Sequence, residues 1–348
     1  MILVTGATGC LGSAIVKALV ADGTRIAALR LPSTPPPAAL APLADRIDWR
    51  VGNIRSAESV RAALKGVTRI YHLAGIAVPL NRLRQAMFDV NVGGTATLAA
   101  AALAHGVERL VYTSSSSTIG IPDDGTIATE QFTYNGDRFD FSYMHSKRKA
   151  EDTLLEYSAR GLPVVIVNPT AVMARGGDVR ASWGGVVAAV ASRRIPLVPS
   201  GGVAIVTERD MIDGHLRAMA SGKLGERYIL NTVNVTYREL VTLIADVVGT
   251  RPPHGLVPQP LLRLAGAANS LINTLRRDPM TCSLLTWESV ALLTRRVYYD
   301  QSKAVHELGL SQTPLRAAIE DVYAWWASAT GPRPAMQRGY VERKSRAG

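Results

Sequence analysis

Hydrophobic and polar positions follow two rhythms along the first half of the chain. Short, nearly continuous apolar runs recur at Ile2 to Val4, Arg25 to Leu29, Ile47 to Val51, Arg69 to Leu73, Leu110 to Thr113 and Val164 to Val167. Runs of this length are strands buried on both faces. Between them lie segments with helical spacing, such as Ala14, Ile15, Ala18 and Leu19, and the alanine-rich stretch Thr95 to Ala104. This alternation predicts an α/β fold with a doubly wound parallel sheet. Right-handed crossovers then bring the loops after the strands to one edge, where Gly9, Ala74, Ser115 and Pro169 converge. After Pro169 the pattern loosens into glycine- and proline-punctuated segments, with helices predicted at Tyr237 to Val248, Pro260 to Leu275 and Leu315 to Ser328. The stretch Leu31 to Pro42 is too proline-rich for a regular helix and reads as a stiff loop.

Candidate chemistry enters at two places. The segment Gly6-Ala7-Thr8-Gly9-Cys10-Leu11-Gly12 lies between the first strand and the first helical pattern. There Gly6 permits a tight turn, Gly9 lets the backbone approach a pyrophosphate, Gly12 lets the helix pack closely, and the helix start offers amides to phosphate. Its glycines are spaced by three, unlike the commoner G-x-G-x-x-G. The second place is Tyr143 and Lys147, four apart and therefore on one helix face. A phenol with a pKa of about 10 exchanges protons poorly near neutrality unless a cation assists it. One charge at about 4 Å, with an effective dielectric of about 20, supplies roughly 4 kcal/mol, or about three pKa units. Lys147 is expected to play that part, and the pair suits reduction of a carbonyl.

Three glycines spaced by three, paired with Tyr-x-x-x-Lys, resemble the extended short-chain dehydrogenase/reductase family. Further segments carry the resemblance. Tyr71-His72-Leu73-Ala74-Gly75 is similar to the family's fourth-strand signature and Asp89-Val90-Asn91-Val92-Gly93-Gly94-Thr95 to the helix after it. Val111-Tyr112-Thr113-Ser114-Ser115 resembles its fifth strand, and Asn168-Pro169 the end of its sixth. Gly225 to Asn231 and Tyr299 to Ala304 resemble the dihydroflavonol-reductase-like branch.

The resemblance implies a Rossmann-type NAD(P)-binding domain over residues 1–168, with returns near 203–233. A smaller, mostly C-terminal α/β substrate-binding region would cover 169–202 and 234–330. It implies Ser115, Tyr143 and Lys147 as catalytic residues: Ser115 binds the substrate oxygen, Tyr143 donates the proton, and Lys147 holds the ribose hydroxyls. Four consecutive serines leave Ser114 and Ser116 as rivals of Ser115. Besides the glycine loop, Tyr143 and Lys147, the cofactor would meet Asn53, Ile54, Leu73, Ala74, Gly75, Thr113 and Pro169. Arg30 at the end of the second strand favours NADP(H), through its 2′-phosphate, over NAD(H). Asn53 replaces the family's usual aspartate, although its amide oxygen can still accept from adenine. Asn168 replaces the arginine usual before the proline. Asn91 and Asp210 match family positions as structural residues.

The strand-five serines are not followed by the acidic pair of the family's sugar-nucleotide dehydratases, which argues against dehydration. Phe132, Phe139 and Phe141 precede Tyr143 and are candidate walls of an apolar pocket, with core packing equally open. The expected reaction is NADPH-dependent reduction of a ketone, or oxidation of the matching alcohol, on a small apolar molecule resembling a dihydroflavonol or steroid. One alternative is an NAD-dependent sugar-nucleotide epimerase gripping a diphosphate with Arg175, Arg180, Arg295 and Arg296. Another is a dinucleotide-sensing module without catalysis.

Composition narrows the setting. At 348 residues the chain suffices for one large or two average domains. The net charge of +11 is scattered without the aromatic interleaving of a nucleic-acid platform, and part of it sits in the basic tail 331–348, read as disordered. Cys10 and Cys282 lack metal-ligand spacing and are expected as free thiols; no metal is expected. The N-terminus enters the first strand at once and no stretch reads as a bilayer span, so a cytoplasmic protein, a homodimer by family expectation, is predicted. Leu261, Leu262, Leu264, Leu271 and Ile272 recur at helical spacing; a core-facing helix is expected there in preference to peripheral membrane contact.

Overall fold

The short apolar runs become strands of a sheet covered on both sides. The computed structural model describes residues 1–78, 80–122, 125–176, 182–275 and 285–329. In chain order the strands are β1 (Ile2–Thr5), β2 (Ile26–Arg30), β3 (Ile47–Val51), β4 (Arg69–His72), β5 (Arg109–Thr113), β6 (Ile127–Ala128) and β7 (Val164–Pro169). They continue as β8 (Ala171–Met173), β9 (Leu197–Val198), β10 (Gly202–Thr207), β11 (Arg227–Leu230), β12 (Val233–Thr236), β13 (Gly255–Leu256) and β14 (Arg296–Tyr299). The helices are α1 (Cys10–Ala21), α2 (Ala57–Ala63), α3 (Arg84–Met87), α4 (Thr95–His105), α5 (Ser142–Ala159) and α6 (Trp183–Ala191). After them come α7 (Glu208–Ser221), α8 (Tyr237–Val248), α9 (Gln259–Leu275), α10 (Trp287–Leu293) and α11 (Leu315–Ala329).

Seven parallel strands form the large sheet in the order β11-β7-β5-β4-β1-β2-β3. Period-2 alternation sends Val4, Ala28, Tyr71, Val111 and Val165 into a core with Ile15, Leu19 and Met211 of α1 and α7. Their neighbours Leu3, Ala27, Ile70, Leu110 and Val164 enter a second core with Val60, Leu98 and Leu154 of α2, α4 and α5. This is a Rossmann-type doubly wound sheet. The strand order reverses between β1 and β4, placing a crevice at the C-terminal ends of these strands.

A second sheet, β12-β10-β14-β6 with β8 beside β10, is backed by α6, α8 and α11 around Met173, Ile205, Tyr237, Ile244 and Ile319. The chain's return to the large sheet is made by α7 and β11. Residues 202–207 run in the second sheet as β10, and the early β6 joins that sheet too.

Three expectations are corrected. The second half of the proline-rich stretch is not irregular: Ala38–Arg46 winds as a 3₁₀ helix that accommodates Pro42 and buries Leu40. A helical stretch long and apolar enough to cross a bilayer does exist, Asn81–His105, through α3, a π-helical turn at Phe88–Gly94, and α4. Its residues Leu98, Ala99 and Ala102 are spent on the second core, which accounts for the apolar composition. Lastly, α9 does not bury its leucine stripe: Leu262, Gly266 and Asn273 face inward, whereas Leu261, Leu264, Leu271, Ile272 and Leu275 are exposed. Cys282 and the tail 331–348 lie outside the described residues.

Candidate active site

The glycine loop closes by backbone contact alone. Gly6 adopts φ +74°, and a Cβ there would stand 2.6 Å from the Leu73 carbonyl carbon. A Cβ on Gly12 would lie 2.1 Å from the Gly6 carbonyl oxygen, so α1 crosses the loop at a distance only glycine permits. Gly9 precedes α1 without any side-chain cap, leaving the helix start to offer its amides to a ligand. Thr8 is partly exposed beside it and Leu11 packs against the first core. Cys10 turns away: its thiol donates to the Arg175 carbonyl at 3.1 Å, and burial raises its pKa to about 11. It is a free thiol.

The loop after β4 is held by neutral, buried polar groups. Thr95 donates its hydroxyl proton to the Asn91 carbonyl, so its oxygen accepts from Nε2–H of His72 at 2.9 Å. Nδ1 of His72 then accepts from the Thr5 hydroxyl at 2.7 Å, and the Thr5 oxygen accepts from the Ala74 amide. Burial, with Lys147 adding to it, lowers the His72 pKa to about 3. Asn91 closes the other side: its amide group pairs with both backbone groups of Ile76 and donates to Ser146 Oγ at 3.0 Å. Leu73, Ala74 and Gly75 are thereby fixed against α5, and a Cβ on Gly75 would come within 3.7 Å of Lys147 Nζ.

Helix α5 starts where Asn81 Oδ1 accepts from the Ser142 amide at 2.9 Å, which sets the height of Tyr143. The Tyr143 phenol faces Ser115, whose hydroxyl acts to lower its pKa, while Phe141 packs edge-to-face on the ring at 6.0 Å. Among the serines, Ser115 and Ser117 are partly exposed and Ser114 and Ser116 buried. Among the described residues the Ser114 hydroxyl has no partner, and that of Ser116 acts on the Tyr299 phenol. Ser115 is thus the member of the run that meets Tyr143. Of the phenylalanines, Phe132 is core packing against Ile119 and Ala128, and Phe139 lies under the Arg295 guanidinium; Phe141 alone of the three is in ring contact with Tyr143.

Lys147 departs from the expected arrangement. Its ammonium donates to the Thr113 carbonyl at 2.7 Å and the Tyr112 hydroxyl at 3.3 Å, 4.7 Å above the Tyr112 ring centre. Among the described residues it makes no hydrogen bond to Tyr143. Burial holds the phenol above its ordinary pKa and the Ser115 hydroxyl brings it part of the way back. The lysine itself is lowered to about 8 by burial, against an opposing pull from Glu151 one turn later. Sharing a helix face therefore does not by itself place the ammonium on the phenol, because the lysine's flexible stem follows the better acceptor on β5.

Glu151 and His215, close to this pair, gave no sequence signal. Glu151, almost fully buried, accepts from Thr118 at 2.7 Å and from Asn168 Nδ2 at 2.6 Å, and pairs with Arg227 of β11 at 3.4 Å. Asn168 also donates to the Ser115 carbonyl at 3.1 Å, so it clamps the serine loop. His215 donates Nδ1–H to the Met211 carbonyl and accepts the Thr113 hydroxyl proton at Nε2; burial lowers it to about 4. Both polar ends of Thr113 are consequently committed to protein. Pro169, buried at the end of β7, pairs with Leu230.

At the far end of the crevice Arg30 donates to the carbonyls of Leu31 and Thr34 at 3.3 and 3.2 Å, and its Nε is buried without a partner. Asn53 is less available than expected: its Oδ1 already accepts from the Arg55 amide at 3.0 Å, an Asx turn. Ile54 is buried, and its side chain occupies the space a Cβ on Gly94 would need. Arg175 pairs with Glu208 at 3.1 Å beside the glycine loop, so it is committed away from a substrate diphosphate. Arg180 lies outside the described residues. Among the described residues no group of three or more His, Cys, Asp or Glu could hold a metal. Asp210 is structural: buried on α7, it accepts from Thr232, Ser311 and Thr313.

Sheet order, glycine turn and crevice define a dinucleotide-binding α/β protein. Residues 2–231 match the NAD dependent epimerase/dehydratase family. A Synechocystis protein with the provisional name dihydroflavonol 4-reductase is 31% identical over 329 residues, 93% of each chain. Sterol demethylase protein B of Methylococcus capsulatus is 34% identical over 326 residues, 93% of this chain and 97% of that one. The crystal structure of gox2253 superposes with a TM-score of 0.80 at 30% identity, covering 95% and 98% of the two chains. The chain belongs to the NAD-dependent epimerase/dehydratase family of the extended short-chain dehydrogenase/reductases.

Proposed function

We propose that the protein is an NADP(H)-dependent reductase of a ketone, or oxidant of the matching secondary alcohol, on a small and fairly apolar molecule. The observation that carries this reading is the Ser115 hydroxyl acting on the Tyr143 phenol at the crevice, with Lys147 anchored one turn on. The residues present fit a dinucleotide: the uncapped start of α1 suits a pyrophosphate, and the unpartnered Nε of Arg30 suits a second phosphate. Gly6 to Gly12 and Arg30 would hold its adenosine half, and Leu73 to Gly75, Tyr143 and Lys147 its nicotinamide half. When bound, it supplies the hydride that the carbonyl carbon receives. The chain's part is at the oxygen. Ser115 Oγ orients the carbonyl, and the Tyr143 hydroxyl transfers its proton to the oxygen as the C–O double bond becomes single. Lys147, held by Thr113, keeps a positive charge beside that exchange.

The apolar character is supported by the Phe141–Tyr143 contact and by the names of the two relatives, which denote a dihydroflavonol and a sterol enzyme. The test is Tyr143→Phe, assayed with NADPH against a steroid ketone and a dihydroflavonol. Turnover is expected to fall at least about 100-fold while NADPH affinity stays within a few-fold. Turnover equal to the wild type would sink the reading.

A further inference from the structure

The exposed face of α9 is the feature that the reaction does not use. At about 100° per residue, Leu261, Leu264, Leu271, Ile272 and Leu275 fall within an arc of about 100°. Leu262, Gly266 and Asn273 form the opposite, packed seam, where Gly266 meets Val290 of α10. Leu264, Leu271 and Leu275 are 67%, 66% and 79% exposed, and Trp287, at the start of α10, is 57% exposed. The Trp287 amide donates to Ser270 of α9 at 2.8 Å, so the tryptophan and the leucine stripe belong to one unit.

Charge decides what covers this face. From Arg251 to Leu275 the chain carries Arg251 and Arg263 and no aspartate or glutamate, Glu288 beside Trp287 being bonded to Asn81, and the chain as a whole carries +11. A second copy would set this basic segment against itself. An anionic bilayer offers both complements, acyl chains for the leucines and phosphates for the arginines, and a tryptophan favours that boundary.

We propose that α9 and the start of α10 dock the protein onto an anionic lipid surface. The unit is connected to the site: Glu288 of α10 accepts from Asn81, whose Oδ1 holds the Ser142 amide next to Tyr143. The docking unit is therefore one hydrogen bond from the residue that sets the start of α5 and the height of Tyr143. Docking would hold whatever the reaction proves to be.

The test is flotation of the full chain with phosphatidylcholine vesicles, with and without about 30% phosphatidylglycerol, a composition rich in anionic headgroups. Wild type should bind the anionic vesicles and release in high salt. Leu264→Glu/Leu271→Glu should lower the partition coefficient at least about tenfold with an unchanged Tm, both positions being exposed. Should that variant fail to fold, Leu264→Ser/Leu271→Ser replaces it, and quenching of wild-type tryptophan fluorescence by brominated lipids gives a second readout. No binding to anionic vesicles, equal binding by variant and wild type, or a variant that changes oligomer size in gel filtration would each overturn the proposal. The last would assign the face to a second copy of the chain. None of these outcomes depends on turnover.

Discussion

Acidification should destabilise this protein through its buried histidines, and His72 offers the sharper test. Both of its ring nitrogens are engaged, Nδ1 by Thr5 and Nε2 by Thr95, with no room for a second ring proton without breaking the Thr5 bond. Burial lowers its pKa to about 3 from an ordinary 6.5. The sign follows from proton uptake. Below about pH 6.5 the unfolded chain binds a proton that the folded one refuses, so stability falls as pH drops and levels off only below about pH 3. Linkage puts the loss from this one residue at about 2 kcal/mol at about pH 5, and about 3 kcal/mol at about pH 4. Against a domain stability of roughly 5–15 kcal/mol that is a large share. His215, lowered to about 4, adds a parallel loss in nearly the same window. The assay is urea unfolding at a series of pH values for wild type and His72→Gln. Glutamine cannot titrate there, so whatever fixed cost it brings, its stability should lose less on acidification. The gap between the two proteins should narrow by about 2 kcal/mol from neutrality to about pH 5. Parallel acid limbs would refute the reasoning.

Further outcomes follow from the same geometry. Gly12→Ala forces a Cβ to within 2.1 Å of the Gly6 carbonyl oxygen, where only backbone can yield; calorimetry should show a stability loss of about 1–3 kcal/mol and titration no measurable dinucleotide binding. Arg30→Ala should weaken NADPH binding about 10- to 100-fold and leave NADH nearly unchanged, read by fluorescence titration; equal losses for both would make Arg30 a loop clamp only. Lys147, lowered to about 8, should impose an alkaline decline on turnover above about pH 8. Its unfolded form keeps its proton to about 10.5, so stability should rise over the interval in which turnover falls. Because Glu151 raises the lysine, Glu151→Gln should move that alkaline limb to lower pH; an unmoved limb would show that Lys147 does not set it.

What the sequence disclosed depends on how far each signal reaches along the chain. Six of the seven strands of the large sheet were legible within a residue or two because burial on both faces writes itself into a short run, as at Val164–Pro169, whereas β11 at the sheet edge was not among those runs. Gly6 and Gly12 were legible because a backbone approach demands one residue type. The clamps around the site were not. His72 with Thr5 and Thr95, and Glu151 with Asn168 and Arg227, join residues from separate elements at no fixed spacing, and each side chain alone reads as an ordinary polar position. On α9 the leucine period was visible, but periodicity gives a stripe and not the side of it that is covered; that is decided by Gly266 meeting Val290.

Tyr143 and Lys147 show the limit most clearly. Spacing of four fixes their Cα atoms on one face, which alone predicts a depression of the phenol pKa by about three units. The lysine's charge, however, sits at the end of four rotatable bonds and goes to the strongest acceptor within reach, the Thr113 carbonyl at 2.7 Å. The phenol is left to burial and Ser115, which together hold it above its ordinary value. Helical spacing therefore fixes where the two side chains start, and the acceptors on β5 fix where the ammonium ends.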